Sequence, residues 1–357
     1  MLLLQKATPN NIRLHKQKRI IDMKKCIPSV IICILILILC INLGSVSITL
    51  PDSISITIHK LFGRPLPESV APMSVSIFWN IRVPRALVAF LVGGALAVSG
   101  AVMQSILQNP LASSYTMGVS SGSSLGAAII IITGVTSFAL RSILLPLSGF
   151  SFALITVLFV LILSGRIDRN IHSYTIILIG MVVSLFVSAF LTLLSSLFPD
   201  HSQQIYFWMM GSFSARNWTH VYILTPICIL ITFLIWIQSG ELDILTFGDE
   251  QAMSLGVNTS LRKVILILLT ALLTGASVAF TGTIGFIDLV APHVVRKIFG
   301  ARHKIVVPMS FLYGGAFMSL ADLIARTIIA PRELPVGAVT ALLGAPFFVF
   351  IFFKRKK

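Results

Sequence analysis

The stretch 285–300, GFIDLVAPHVVRKIFG, sets Asp288, Pro292 and His293 into an otherwise apolar run. A carboxylate and an imidazole are a metal-ligating or proton-relaying pair. At membrane depth such groups are costly enough to point to function. Five residues correspond to about 500° of helical rotation, which sets Asp288 and His293 about 140° apart around the axis. Pro292 also removes one i→i−4 hydrogen bond between them. The spacing therefore argues against shared ligation, and His293 reads as a hydrogen-bonding residue near the end of its segment.

Other spacings carry chemistry of their own. GVSSG (118–122) matches the G-x-S-x-G nucleophile pattern, with Ser120 as the candidate nucleophile. That pattern works only on a strand–turn–helix with histidine and acid partners. Here Gly118 and Gly122 open an apolar, glycine-spaced run, so they read as helix-packing positions. H-E-x-x-H and the phosphate-cradling G-x-x-x-x-G-K-[ST] are both absent, so any ATP must be bound by another chain. Asp322 and Arg326 stand four apart, the spacing of a helical ion pair. They read equally as a structural pair or as an outward basic contact. Arg82 and Arg85 flank a proline in RVPR, where a lipid-headgroup contact and an acidic docking partner are the two readings. In GDEQAMSLGVN (248–258), Asp249 and Glu250 suit a helix's first turn and Gly256 its stop. Ala252, Met253 and Leu255 give that short helix an apolar side, to be met by the membrane surface or by a cytosolic subunit.

The elements that must position these residues are membrane spans. Of 357 residues, 56% are hydrophobic and 11% charged, with mean hydropathy +0.96. Soluble domains carry roughly a quarter charged residues. Apolar runs long enough for a core of roughly 30 Å recur from Pro28 to Phe353. They predict ten helices near 28–43, 86–106, 115–134, 143–163, 174–198, 221–238, 264–282, 284–299, 306–329 and 337–353, the eighth short and holding Pro292. Residues 1–27 and 354–357 form basic tails around this all-α multi-span domain. The net charge of +15 is scattered among loops and accompanies no nucleic-acid motif. All Lys and Arg except Lys60, Arg64, Arg82, Arg85, Arg141, Arg216, Arg326 and Arg332 fall in the tails and in alternate loops. This asymmetry predicts that both termini are cytoplasmic. Gly93, Ala97 and Ala101, and Gly118, Gly122 and Gly126, repeat every four residues, a pattern that lets helix backbones approach closely in lipid. Cys26, Cys33 and Cys40 recur every seven and predict one packing face, not a zinc site. The basic N-terminus lacks an A-x-A cleavage pattern, so the first apolar run reads as a retained span.

Four of these segments together resemble the FecCD family of permease subunits, which serve ABC importers of iron–siderophores, haem and vitamin B12. They are RVPRALVAFLVGGALAVSGAVMQSILQNPLASSYTMGVSSGSSLGA (82–127), GDEQAMSLGV (248–257), GTIGFIDLVAPHVVRKIFGARHK (282–304) and ADLIARTIIAPRELPVGAVTALLGAPFF (321–348). The likeness runs from about residue 80 to the C-terminus. It implies ten transmembrane helices in a compact bundle within a prokaryotic cytoplasmic membrane. It also implies a second permease subunit, identical or different, two ABC ATPase subunits and an extracytoplasmic binding protein. Residues 248–257, with Gly248, Asp249, Glu250, Ala252, Met253, Leu255 and Gly256, match the family's coupling helix on the ATPase. Arg82, Arg85 and Arg326 match outer-face arginines that meet acidic residues of the binding protein. Asn109, Pro110, Gly118, Gly122, Pro292, His293 and Asp322 fall in the family's pathway and structural motifs.

The function so implied is ATP-driven alternating access that imports a metal chelate, a ferric siderophore first, then haem or cobalamin. The chain itself would make no covalent bond, hold no cofactor or metal, and bind no nucleic acid, with lipid around its spans. An ion-coupled secondary transporter is the competing class, for which Asp288 and Asp322 are the available intramembrane carboxylates. Two departures stand out. NPLASS (109–114) replaces the family's NPLADP, and Asp288 stands where the family pattern G-F-[IV]-G-L-x-x-P-H has glycine. The resemblance does not account for the basic N-terminal segment 1–27.

Overall fold

A computed structural model describes residues 9–44, 46–135 and 137–354. Among these residues the chain is helical and contains no strand. Each of the ten expected spans corresponds to a helix. They are α1 (Pro9–Asn42), α4 (Val83–Ile106), α5 (Val119–Ile132), α6 (Phe138–Ile167), α7 (Ser173–Leu197), α9 (Trp218–Ile237), α12 (Thr259–Thr281), α13 (Ile287–Phe299), α14 (His303–Thr327) and α15 (Val336–Lys354). Seven helical segments among the described residues are long and apolar enough to cross a membrane. α5 and α13 have 14 and 13 residues, about 20 Å each, and fall short of a bilayer core.

The stretches expected to be hydrophilic connections fold as helices too. They hold α2 (Leu50–Phe62), α3 (Pro72–Ser76), α8 (Pro199–Met209), α10 (Ser239–Leu245) and α11 (Asp249–Ser254). α3 continues through a π-helical turn (Ile77–Arg82) into α4, so the second span starts at Pro72 and not near residue 86. Pro84 explains the turn. It lacks an N–H and its ring crowds the carbonyl of Asn80, so the ladder before it shifts register without breaking.

α4 is the axis of the bundle, with all its residues buried except Leu87 and Phe90. It packs most extensively on α14 and also on α9, α12 and α13. Small residues make the closest crossing. A Cβ on Gly93 would stand 2.3 Å from the Gly314 carbonyl oxygen, and one on Gly314 would stand 2.4 Å from both Ala97 Cβ and the Gly93 oxygen. The second small-residue row docks α5 on α6, with a Gly122 Cβ only 2.3 Å from Thr156 Oγ1. Ser148 Oγ donates to the Gly126 carbonyl at 2.8 Å in the same contact. Close backbone approach thus replaces the hydrophobic driving force that helices lack in lipid. Cys33 and Cys40 are buried, and α1 packs on α14. The outward faces of α6, α7 and α9 expose Leu158, Phe159, Leu185, Phe186, Leu230 and Phe233, as helices in hydrocarbon do.

Gly314→Ala should cost about 1–3 kcal/mol, because the added methyl overpacks a backbone crossing that cannot part locally. Gly165→Ala, on α6, meets nothing within 4 Å and should not lower stability, since alanine is the better helix former. Thermal unfolding midpoints in detergent or nanodiscs check this. Equal midpoints for the two variants would contradict the crossing.

Candidate functional site

The 248–258 stretch forms a short helix between two glycines with left-handed or related φ values. Gly248 has φ +110° and Gly256 φ +82°, conformations that a side chain resists. Between them, α11 carries Asp249 and Glu250 in its first turn, where its N–H groups favour negative charge. Ala252 is buried beneath it, whereas Met253, Leu255 and the preceding Phe247 stand exposed at 44%, 66% and 67%. Three exposed apolar side chains on a polar loop form an unpartnered patch.

Three acids fix this α10–α11 unit to the spans. Asp249 Oδ2 accepts from Lys263 Nζ at 2.6 Å; the lysine, in the first part of α12, is wholly inaccessible. Lys263 also donates to the Ile171 carbonyl and to Ser173 Oγ, both at 3.2 Å, and so draws in the α6–α7 turn. Glu241 pairs with Arg262 on α12 at 2.9 Å. Asp243 Oδ1 accepts from His303 Nδ1 at 2.7 Å and from the His303 backbone N–H at 2.9 Å. Burial pushes the Asp243 carboxyl up, but these donors, with the charges of His303 and Arg302, bring it below its usual value. In the adjoining turn Asp168 is held down to about 2, first by the His172 backbone N–H and also by the His172 ring, Asn170 and Thr175. A cleft of about 650 Å³ separates α11 from the turn after α4 and the start of α7, with Asn109, His172 and Glu250 on its walls. Asn109 and Pro110 form that turn: Asn109 Oδ1 accepts from the Leu111 N–H at 2.9 Å, stopping α4.

α13 is the second element of the site. Pro292 does not end it, because the helix runs on to Phe299. The carbonyl that the Pro292 N–H would have engaged belongs to Asp288, and Gln104 Nε2 of α4 donates to it at 3.2 Å. The same carbonyl lies where a Cβ on Gly100 would be, 1.9 Å away, so only glycine admits the contact. Asp288 is 1% exposed, and its carboxylate accepts from Ser113 Oγ. His293 is half-buried on α13. Arg296, expected among loop charges, turns inward. It donates to Gln104 Oε1, to the Ala101 carbonyl at 2.9 Å and to Ser105 Oγ at 3.2 Å. The non-helical 282–286 backbone between α12 and α13 is held at both ends. The Ser212 N–H donates to the Thr281 carbonyl at 2.8 Å, and Phe286, at φ +69°, packs on Gly344 of α15. Irregular backbone inside a membrane bundle needs such protein partners.

At the opposite end, Arg82, Arg85 and Arg326 are brought together but face inward, 3%, 6% and 8% exposed. Arg85 forks onto Asp322 at 2.8 Å and Glu333 at 2.7 Å. Arg326 Nε lies 3.6 Å from Asp322 and its Nη2 donates to the Cys40 carbonyl. Arg82 donates to the carbonyls of Asn42, at 2.8 Å, and Val46. Thus Asp322 serves Arg85 first and Arg326 second, and none of the three guanidiniums is presented outward in this structure. The reason is desolvation: a buried guanidinium needs acceptors, and these are supplied within the chain. Sequence spacing had suggested the Asp322–Arg326 pair but carried no signal for Arg85–Asp322 or for Glu333.

A family model for the FecCD transport family matches residues 32–354. The chain belongs to the FecCD family. The match begins well before residue 80, where the sequence motifs start. Among relatives, an uncharacterised ABC transporter permease, YvrB of Bacillus subtilis, is 40% identical over 90% of this chain and 91% of its own. The hemin transport system permease HmuU of Yersinia pestis is 34% identical over 91% of this chain and 95% of its own. A solved chain described as an inward-facing metal-chelate type ABC transporter superposes with TM-score 0.79 at 28% identity, covering 93% of this chain and 99% of that one. As a FecCD member the chain is a multi-pass ABC importer permease.

Lys263→Met should be strongly destabilising, by about 3–5 kcal/mol, because it leaves the Asp249 carboxylate without its buried partner. The α11 segment should then be cleaved first in limited proteolysis. An unchanged unfolding midpoint and digestion pattern would show that the pair does not hold α11.

Proposed function

We propose that this chain is the membrane-spanning subunit of an ATP-driven importer of an iron chelate, with a ferric siderophore as the first candidate. The observation that carries the reading is the tethered α10–α11 unit. It shows exposed Phe247, Met253 and Leu255 on one side and is ion-paired to α12 and α14 on the other. An apolar patch on such a unit suits a partner that pushes on it, and an ATPase subunit is that partner in an ABC importer. α11 lies at the end where Lys and Arg concentrate, which makes that end cytoplasmic in this reading. Two permease subunits, two ATPases and an extracytoplasmic binding protein complete the assembly, in the cytoplasmic membrane of a prokaryote. The permease catalyses no covalent step.

Docking of the binding protein belongs to the opposite end. With Arg82, Arg85 and Arg326 occupied inside the chain, they act there as the scaffold beneath the docking surface, and Glu333, whose side chain is 37% exposed, is their outermost partner. Haem is the second candidate substrate, favoured by the hemin permease's likeness over nearly the whole chain.

A cysteine at Met253 should cross-link to the ATPase in the copurified complex, whereas one at Leu185, on the exposed face of α7, should not. Cells carrying the system should accumulate radioiron from a ferric siderophore and lose that uptake when the chain is deleted. Uptake from haem alone would move the assignment to haem. Failure of Met253 to cross-link with linkers of several lengths would overturn the coupling role.

A further inference from the structure

Ser105, His303 and Asp243 stand in hydrogen-bonded sequence, an order familiar from hydrolases but used differently here. His303 Nδ1 lies 2.7 Å from Asp243 Oδ1, and its Nε2 lies 2.6 Å from Ser105 Oγ. Ser105 is 4% exposed and His303 1%, so no substrate reaches the hydroxyl. A guanidinium occupies its far side: Arg296 Nη2 donates to Ser105 Oγ at 3.2 Å.

The four side chains are joined by successive polar contacts. A carboxylate only accepts, so His303 Nδ1 carries a proton and donates to Asp243. Nε2 lies within hydrogen-bond reach of Ser105 Oγ, which also donates to the Ala101 carbonyl one turn back at 2.9 Å. Ser105 Oγ in turn accepts from Arg296, which also satisfies the Ala101 carbonyl at 2.9 Å. The contacts thus run without a gap from the cation Arg296 through Ser105 and His303 to the anion Asp243. In a medium of low dielectric hydrogen bonds linked in this way polarise one another. Each member comes from a different helix: α13, α4, α14 and α10. Arg296 extends the chain through Gln104 to the carbonyl of Asp288, at the first turn of α13.

We propose that this relay is the strut through which movement of the α10–α11 unit reaches the α13 N-terminus, and that His303 and Ser105 are its positioning residues. The proposal rests on the coupling role given to α11 above. A salt bridge such as Glu241–Arg262 joins the unit only to α12 and, being partly exposed, is a weak joint. The relay is buried at Ser105 and His303 and runs to the break beside Asp288. Ser105 carries the relay from His303 on α14 to α4, so cutting it at one hydroxyl leaves the helices packed and removes that step, while Arg296 and Gln104 still hold α13 to α4.

The test uses the permease copurified with its ATPase in nanodiscs, read by hydrogen–deuterium exchange with and without ATP and vanadate. In the wild type, exchange should change on nucleotide binding both at 247–255 and at 286–291. Ser105→Ala should keep the ATPase rate and the change at 247–255 but lose the change at 286–291. His303→Ala, which also removes the partner of Asp243, should weaken both responses, and the double variant should match it. Ser105→Thr, which keeps the hydroxyl, should restore the response. A response at 286–291 that survives Ser105→Ala would overturn the strut. Absence of any nucleotide response at 247–255 in the wild type would instead overturn the coupling role itself. Because Ser105→Ala removes one oxygen and no charge, its folding is the control for the larger His303→Ala change.

Discussion

A charge taken out of water has to be met by an opposite charge or by donors and acceptors, and that requirement decides where this chain's polar residues go. Nearly every position of α4 is buried, so any polar group that touches it must find its partner on a neighbouring helix. Arg85 at one end of α4 finds Asp322 and Glu333, and Ser105 at the other finds His303 and Arg296. Between those ends, glycine and alanine let α14 approach until the backbones meet. The bundle is therefore clamped by polar contacts at its two ends and packed by small residues at its centre.

The two ends differ in a way that bears on transport. The arginine cluster is closed on itself, and its members spend their donors on carbonyls and carboxylates of the same chain. The α10–α11 end is closed on one side only. Its acids face inward to Lys263, Arg262 and His303, while its apolar side chains face out. A unit so built keeps its own shape while presenting a surface to another molecule. Gly248 and Gly256 allow sharp turns before and after it without backbone strain.

Much of the fold was legible in the sequence, because apolar length is a strong local signal. All ten expected spans are helices, and the glycines at 248 and 256 bracket a short helix as their positions imply. The family's motifs were legible as well. What was not legible is the direction in which long cationic side chains point. Arg82, Arg85, Arg296 and Arg326 all sit near span ends, where solvent and protein interior are equally close, and sequence does not choose between them. The surroundings of Asp288 were not legible for a related reason. Its burial against Ser113 depends on Gly100 admitting the α13 backbone, a contact between segments nearly two hundred residues apart. The Ser105–His303–Asp243 relay gave no signal at all, since its members share no spacing or local motif. α2, in a stretch read as a polar connection, is helical and buries Ser53 and Ile56 one turn apart on one face.

The central claim is that α11 moves as one body with α12 when an ATPase partner acts on it. Spin labels at Ser254 and Leu261, both exposed, report that directly as a distance in the ATPase-bound complex. The account predicts one distance, unchanged between nucleotide-free and ATP-bound states, that broadens only when Lys263 is replaced. A shift of that distance on ATP binding in the wild type would mean that α11 swings free of α12, and would contradict it.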